Sequence, residues 1–256
     1  MKDFITEFKK VFVAFSGGVD SSTLAAVCKD AGVDVLAVTV ISQVSPSREV
    51  AETSAIADEI GVKHEFVEMD ILTSEFRKNT SKRCYFCKKR VLSALVEMAE
   101  RRGYDAVFEG TNASDLTGHR PGYRAVKETG KVYSPWADFG ITKDEIRLIA
   151  KSMGLSFYDK PSLACLATRI PFGTEIDKDM LKMIDKAENA VIEVAGVRQV
   201  RVRSLDGKAV IEVGSDELSK VLKGDVVRRL REEIQKIGFK AVLLDLEGYR
   251  SGKISL

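Results

Sequence analysis

Histidine is scarce in this chain of 256 residues: only His64 and His119 occur, and neither stands at a ligand-like spacing from a cysteine. Charge of one sign is lacking as well. The 40 Lys and Arg against 38 Asp and Glu leave a net +2, which does not indicate a general nucleic-acid binder. No apolar run reaches the roughly 18 residues of a transmembrane helix. The opening Met1-Lys2-Asp3-Phe4 leads into an amphipathic segment without a signal-peptide core. A cytoplasmic protein is therefore expected, and there four cysteines read as ligands, reactive thiols or core residues rather than disulfides. Internal repeats and low-complexity tracts are missing. So is a Walker A loop, Gly-x-x-x-x-Gly-Lys followed by Ser or Thr, so simple γ-phosphate transfer is not implied.

What is present fits a soluble globular chain: 45% apolar and 30% charged residues. The length allows one α/β domain of about 170 residues and a small second one. Basic residues cluster at Lys82, Arg83, Lys88, Lys89 and Arg90, and at Arg198, Arg201 and Arg203. Such clusters suit a phosphorylated or carboxylated small ligand as well as RNA.

The most informative segment is Ser16-Gly-Gly-Val-Asp-Ser-Ser22, directly after the apolar run Val11–Phe15. It reads as a buried strand, a glycine turn and a helix start, where backbone N–H groups and a helix dipole hold phosphate. Gly17 and Gly18 allow a tight turn and a close ligand. Ser16, Ser21 and Ser22 supply hydroxyls, and Asp20 supplies a carboxylate for Mg²⁺ among phosphates. The plainer reading is a capped strand-to-helix turn. The full string matches the PP-loop of the ATP pyrophosphatase family, whose members bind ATP, release pyrophosphate and leave AMP on a substrate.

Apolar, β-rich runs at Val11–Phe15, Val35–Val40, Glu65–Val67, Ala106–Glu109 and Val132–Trp136 alternate with helical patterns near 21–31, 47–60, 84–102 and 142–153. That alternation predicts a parallel, doubly wound α/β sheet, with ligands beyond the carboxyl ends of its strands. Ser16–Ser22, Thr39–Gln43 and Gly110–Asp115 all follow strands and are expected on one sheet edge. After about residue 175 the pattern changes. An amphipathic helix at Lys178–Val194 precedes half-buried strands at Gln199–Arg203 and Ala209–Val213, with a hairpin turn at 205–208. A helix near 224–237 and a strand near 240–246 follow. The expected division is 1–175 and a small α+β domain, 176–256.

Cys84 and Cys87 form Cys-Tyr-Phe-Cys, and Cys165 stands alone; Cys28, on an apolar helix, reads as a core residue. Three readings of the other three stay open. A 4Fe–4S cluster on three thiolates leaves one iron open. Zinc wants a fourth protein ligand. Thiol chemistry without metal needs only the cysteines themselves. His64 reads as a packing or surface residue, His119 lies beside the expected active-site loop, and Trp136 reads as packing.

Beyond the PP-loop, further blocks run in order along almost the whole chain. They are Arg83-Cys-Tyr-Phe-Cys-Lys88, Glu109-Gly-Thr-Asn-Ala-Ser-Asp115, Arg120-Pro-Gly, Ser134-Pro135, Lys143-Asp-Glu-Ile-Arg147, the segment Lys160–Gly173 around Cys165, and Val200-Arg-Val-Arg203 with Ala209-Val-Ile-Glu212. In these the chain resembles the LarE family of PP-loop sulfur transferases of nickel-pincer cofactor biosynthesis. The resemblance implies a PP-loop ATP pyrophosphatase (adenine nucleotide α hydrolase-like) fold and a pyridinium-3,5-dicarboxylate mononucleotide substrate. ATP with Mg²⁺ activates a carboxylate as an acyl-adenylate, and sulfur replaces AMP to give a thiocarboxylate. One branch sacrifices a single cysteine. The three cysteines here resemble the other branch, in which Cys84, Cys87 and Cys165 hold a 4Fe–4S cluster fed by a sulfide source or sulfur-donor protein. A homo-oligomer, a hexamer, is implied too.

The expected ATP-binding set is Ser16, Gly17, Gly18, Val19, Asp20, Ser21, Ser22, Thr39, Glu109, Asn112 and Asp115, the last three having loop capping as their plainer role. The expected catalytic set is Cys165, Asp20, Arg201 and Arg203. Arg201 and Arg203, two apart on a strand, share a face and suit a substrate phosphate or carboxylate, or else form a solvated basic face. Arg169 is expected at the same anionic site. Two rivals remain: a PP-loop enzyme thiolating tRNA, against which near-neutral charge speaks, and a non-catalytic nucleotide-binding protein with a structural zinc or electron-transfer cluster.

Overall fold

The structure, a computed structural model, describes residues 1–117, 121–162 and 164–250. His119 and Arg120 lie outside the described residues, as does Leu163 in the block around Cys165. In chain order the elements are α1 (Lys2–Ile5), β1 (Lys10–Ala14), α2 (Val19–Asp30), β2 (Asp34–Ile41), α3 (Ser47–Ile60), β3 (Lys63–Glu68), α4 (Ser74–Arg77), α5 (Arg83–Arg101), β4 (Ala106–Phe108), α6 (Pro121–Glu128), β5 (Val132–Tyr133), α7 (Pro135–Asp138), α8 (Lys143–Ser152), α9 (Lys178–Ala195), β6 (Val200–Leu205), β7 (Lys208–Val213), α10 (Leu218–Val221), α11 (Gly224–Ile237) and β8 (Ala241–Leu244). They fall into two compact units. The first comprises Met1–Ser42, Arg48–Ile71 and Ser81–Leu163; the second comprises Gln43–Ser47, Leu72–Thr80 and Ala164–Leu256.

In the first unit β1 is apolar on both faces, as a covered parallel strand requires. Val11 and Val13 pack with Leu24, Cys28, Trp136 and Ile146, whereas Phe12 between them packs on the other face with Leu36, Leu95 and Val107. Fully burying one such side chain stabilises by about 1.5–3 kcal/mol, more than an exposed ion pair at about 0–1 kcal/mol. The sheet is held by this packing. All its pairings are parallel, in the order β3-β2-β1-β4-β5. Strand order reverses between β1 and β4, and a crevice at the carboxyl ends of such a pair is the binding position of open α/β sheets. The segments Ser16–Ser22 and Gly110–Asp115 follow these two strands.

The fifth strand is shorter than the sequence suggests. It ends at Tyr133, and Pro135 opens the short helix α7, so Trp136 is helical. Proline lacks the N–H a ladder needs and is preset for a first helical turn.

The second unit pairs β6 and β7 antiparallel through the turn at Asp206-Gly207, and β8 joins β7 in parallel. Helix α9 begins at Asp177, whose carboxylate accepts from the Asp179 and Met180 N–H groups, and buries Leu181, Ile184, Ala187 and Val191.

Candidate active site

The PP-loop is closed by its own hydroxyls. The Ser16 N–H donates to Ser21 Oγ at 3.1 Å, the two hydroxyls lie 3.1 Å apart, and the Gly18 N–H donates to Ser16 Oγ at 3.3 Å. Gly17 has φ +70°, and a Cβ there would stand 2.9 Å from Thr53 Cγ2, so backbone conformation and space both demand glycine. Gly110 is required by space alone from the β4 side: a Cβ on it would lie 2.9 Å from the Ser21 nitrogen. Val19 packs into the core, so what it offers a ligand is main chain. Ser22 is fully buried, and its hydroxyl has no hydrogen-bond partner among the described residues.

Asp20, on the first turn of α2, is the hub. Lys143 Nζ lies 2.5 Å from its Oδ2, Asn112 Nδ2 donates to Oδ1 at 3.3 Å, and the Trp136 indole N–H donates to its carbonyl at 3.0 Å. Trp136 is thus both packing and anchor. Burial pushes the Asp20 carboxyl above its ordinary value; Lys143 pulls it back, and the Asp115 charge pushes it up further.

The segment after β4 is tightly bonded. Glu109, 5% exposed, accepts from Lys88 Nζ at 2.8 Å, from the Thr111 hydroxyl at 2.8 Å and from Ser134 Oγ. Lys88 also donates to Thr111 Oγ1 at 2.9 Å. Asn112 and Asp115 exchange bonds, with the Asn112 N–H to Asp115 Oδ2 at 3.3 Å and the Asp115 N–H to Asn112 Oδ1 at 3.1 Å. Loop capping therefore accompanies whatever these residues do for a nucleotide. Thr39 donates to the Phe15 carbonyl at 2.9 Å and stands 2.8 Å from His64 Nε2. Since its one proton is on Phe15, the Nε2–H of His64 is the donor. His64 serves this network and packs against the Phe15 and Phe66 rings.

Three basic residues in contact with this site escaped the sequence reading. Lys143 and Arg147 were visible only as two ends of one block. A spacing of four puts them on one helix face, and there they divide the work. Lys143 grips Asp20, while Arg147 holds the Tyr158 and Lys160 carbonyls at 2.6 and 2.7 Å. The third, Lys160, donates to the Gly17 carbonyl at 3.1 Å. The capping box of Thr142 and Glu145 fixes the start of α8 and with it this face.

In the second unit, Arg169 is 1% exposed, and all three of its guanidinium nitrogens are bound. Nε and Nη2 reach Glu188 at 2.7 and 3.0 Å, and Nη1 reaches the carbonyls of Ala164 and Cys165 at 2.7 and 2.9 Å. The sequence offered Arg169 for a substrate anion; the structure gives it a protein carboxylate. Arg203 forks onto Glu212 at 2.6 and 2.9 Å and donates to the Thr168 carbonyl at 3.0 Å. Arg201, 7% exposed, donates to the Val200 carbonyl at 2.7 Å, and its guanidinium lies 5.1 Å from the Tyr249 ring centre.

Cys84 is exposed and Cys87 partly so, one turn apart at the start of α5 in the first unit. Cys165, also partly exposed, belongs to the second unit and precedes the short turn Leu166–Arg169. All four cysteines are free of disulfides. Among the described residues no three His, Cys, Asp or Glu form a metal-binding group. Cys28 is fully buried in the core, and burial pushes its thiol up to about 12.

Comparison with known proteins bears on all of this. The NAD synthase family model matches residues 4–100, the part that holds the PP-loop. A pyridinium-3,5-bisthiocarboxylic acid mononucleotide synthase of Lactiplantibacillus plantarum is 31% identical over 98% of this chain and 91% of its own length. The chain belongs to the LarE family. Two uncharacterized relatives match as fully. One, of Synechocystis sp., is 37% identical over 100% of this chain and 95% of its own; the other, of Methanocaldococcus jannaschii, is 34% identical over 95% and 92%. As a LarE-family member with a PP-loop α/β unit, this protein is an ATP-dependent sulfur transferase. No helix among the described residues is long and apolar enough to cross a membrane.

Proposed function

We propose that this LarE-family enzyme adenylates a carboxylate of a pyridinium-3,5-dicarboxylate mononucleotide and converts it to a thiocarboxylate. The observation that carries the reading is Asp20 in the PP-loop, a half-buried carboxylate tied to Lys143 and Asn112 beside loop N–H groups. The 31% identity to a bisthiocarboxylic acid mononucleotide synthase supports the substrate class.

A carboxylate is a poor electrophile until one oxygen belongs to a good leaving group. In the first step a substrate carboxylate oxygen attacks the α-phosphorus, the bond to the bridging oxygen breaks, and pyrophosphate leaves. The N–H groups of Gly18 and Val19, at the positive end of α2, suit the charge growing on that pyrophosphate. Asp20 and Asp115 supply the hard oxygen ligands that Mg²⁺ takes, and that ion needs only one or two carboxylates when phosphates complete its shell. Mg²⁺, when bound, screens the phosphate charge. In the second step a hydrosulfide-class nucleophile attacks the activated carbonyl carbon, and AMP departs with its oxygen.

Cys84, Cys87 and Cys165 are the proposed sulfur-handling set, with a 4Fe–4S cluster as the form the resemblance implies. Because the described residues assemble no three-ligand group, no step here runs through a cluster. Anaerobic iron and sulfide reconstitution tests it: uptake lost in each of Cys84→Ala, Cys87→Ala and Cys165→Ala but kept in Cys28→Ala supports the cluster, and stoichiometric zinc without iron removes it. A homo-oligomer, a cytoplasmic site and a sulfide source belong to the same proposal. The reaction itself is tested with ATP, Mg²⁺, sulfide and the dicarboxylate nucleotide, read by mass spectrometry.

A further inference from the structure

Lys160 lies outside the expected ATP-binding set, yet it bonds the PP-loop backbone. Its Nζ donates to the Gly17 carbonyl at 3.1 Å and pairs with Glu52 at 2.8 Å. The side chain is 14% exposed, and Glu52 also pairs with Arg48 at 3.2 Å. The lysine is itself braced. Its carbonyl accepts from Arg147 at 2.7 Å, and its N–H donates to the Phe157 carbonyl at 3.0 Å.

This contact falls on the least constrained point of the loop. Two successive glycines leave the peptide plane between them free to turn. In a trans peptide the C=O and N–H point in opposite directions, so whatever holds the Gly17 carbonyl also aims the Gly18 N–H. That N–H has only a 3.3 Å bond to Ser16 Oγ, at the long end for such a bond, which a phosphate oxygen readily replaces. Gly17, at φ +70° and crowded by Thr53, limits the turn from the other end.

We propose that Lys160 is a positioning residue of the PP-loop: by holding the Gly17 carbonyl it keeps the Gly18 N–H turned to the pyrophosphate half of ATP. The proposal rests on the ATP-splitting reading above and deepens it. It separates Lys160 from Lys143, which acts on the Asp20 side chain.

The test uses the full chain as wild type, Lys160→Met and Lys160→Arg, titrated by calorimetry with ATP, pyrophosphate and AMP. The ¹⁵N–¹H resonance of Gly18 is followed in ligand-free protein. Lys160→Met should weaken ATP and pyrophosphate by about tenfold, the scale of one hydrogen bond to a charged group, and leave AMP within about twofold. The Gly18 resonance should move before any ligand is added, and Lys160→Arg should restore most of the affinity. The arginine variant also covers the case in which the methionine variant does not fold. Pyrophosphate affinity unchanged, AMP weakened as much as ATP, or a Gly18 resonance that stays in place would each overturn the proposal. If the wild type yields ADP instead of AMP, the ATP-splitting reading falls, while the pyrophosphate titration still judges Lys160.

Discussion

Lys143 Nζ stands 2.5 Å from Asp20 Oδ2, joining the first turn of α8 to the first turn of α2. Burial raises the Asp20 carboxyl and Lys143 is the largest influence lowering it, so the lysine keeps this carboxylate ready for a cation. Lys143→Met leaves only the Asn112 amide to oppose the desolvation of Asp20. The variant should lose about 1.5–3 kcal/mol of stability, the worth of a hydrogen bond to a charged group, and bind Mg²⁺ and ATP together less tightly. Urea unfolding and calorimetry measure the two. A variant that matches wild type in both would show that the pair is idle.

Arg169 and Glu188 form a forked pair, 0% and 8% exposed in their side chains. Glu188 also accepts the Val202 N–H at 3.0 Å, tying α9 to β6. Removing one partner of a buried pair strands the other charge, at a cost of about 3–5 kcal/mol. Arg169→Met should therefore destabilise the protein by that amount in urea unfolding, and adding Glu188→Leu should recover part of it. A loss below about 1 kcal/mol would show that the Arg169–Glu188 pair does not hold the unit together.

Cys84, Cys87 and Cys165 mark where sequence reading stops. Strand alternation, PP-loop and C-terminal hairpin were legible because each depends on local pattern: apolar runs, a glycine turn, period-two burial. The role of Cys28 was legible for the same reason. Lys143, Arg147 and Lys160 were not, because their partners at Asp20, Tyr158 and Gly17 are set by packing across the unit rather than by spacing along the chain. Arg169 and Glu188 were hidden likewise: a buried ion pair needs both ends in view, and 19 positions separate them. The end of β5 departs from the sequence pattern because Pro135 extends an apolar run in the chain but opens a helix in the fold.

His64 gives a pH signature. Desolvation holds its pKa below the ordinary value against the nearby Asp58 charge, so the folded state favours the neutral ring, with Nε2–H on Thr39. A histidine with a lowered folded pKa leaves stability intact above its unfolded value of about 6.5 and loses it as pH falls below that value. Wild type should lose thermal stability from about pH 7 to pH 5 more steeply than His64→Gln, which keeps a donor for Thr39 and does not titrate. Equal slopes would contradict the assignment.

In the proposed reaction ATP is split between its α and β phosphates to put sulfur on a carboxylate. One measurement tests it most directly: anaerobic incubation of the purified enzyme with ATP, Mg²⁺, sulfide and the pyridinium-3,5-dicarboxylate mononucleotide, with products resolved by mass spectrometry. AMP, pyrophosphate and a nucleotide heavier by about 16 mass units for each oxygen exchanged for sulfur are expected, with Asp20→Asn forming neither AMP nor product. ADP in place of AMP, or AMP formed while every substrate oxygen stays in place, would contradict it.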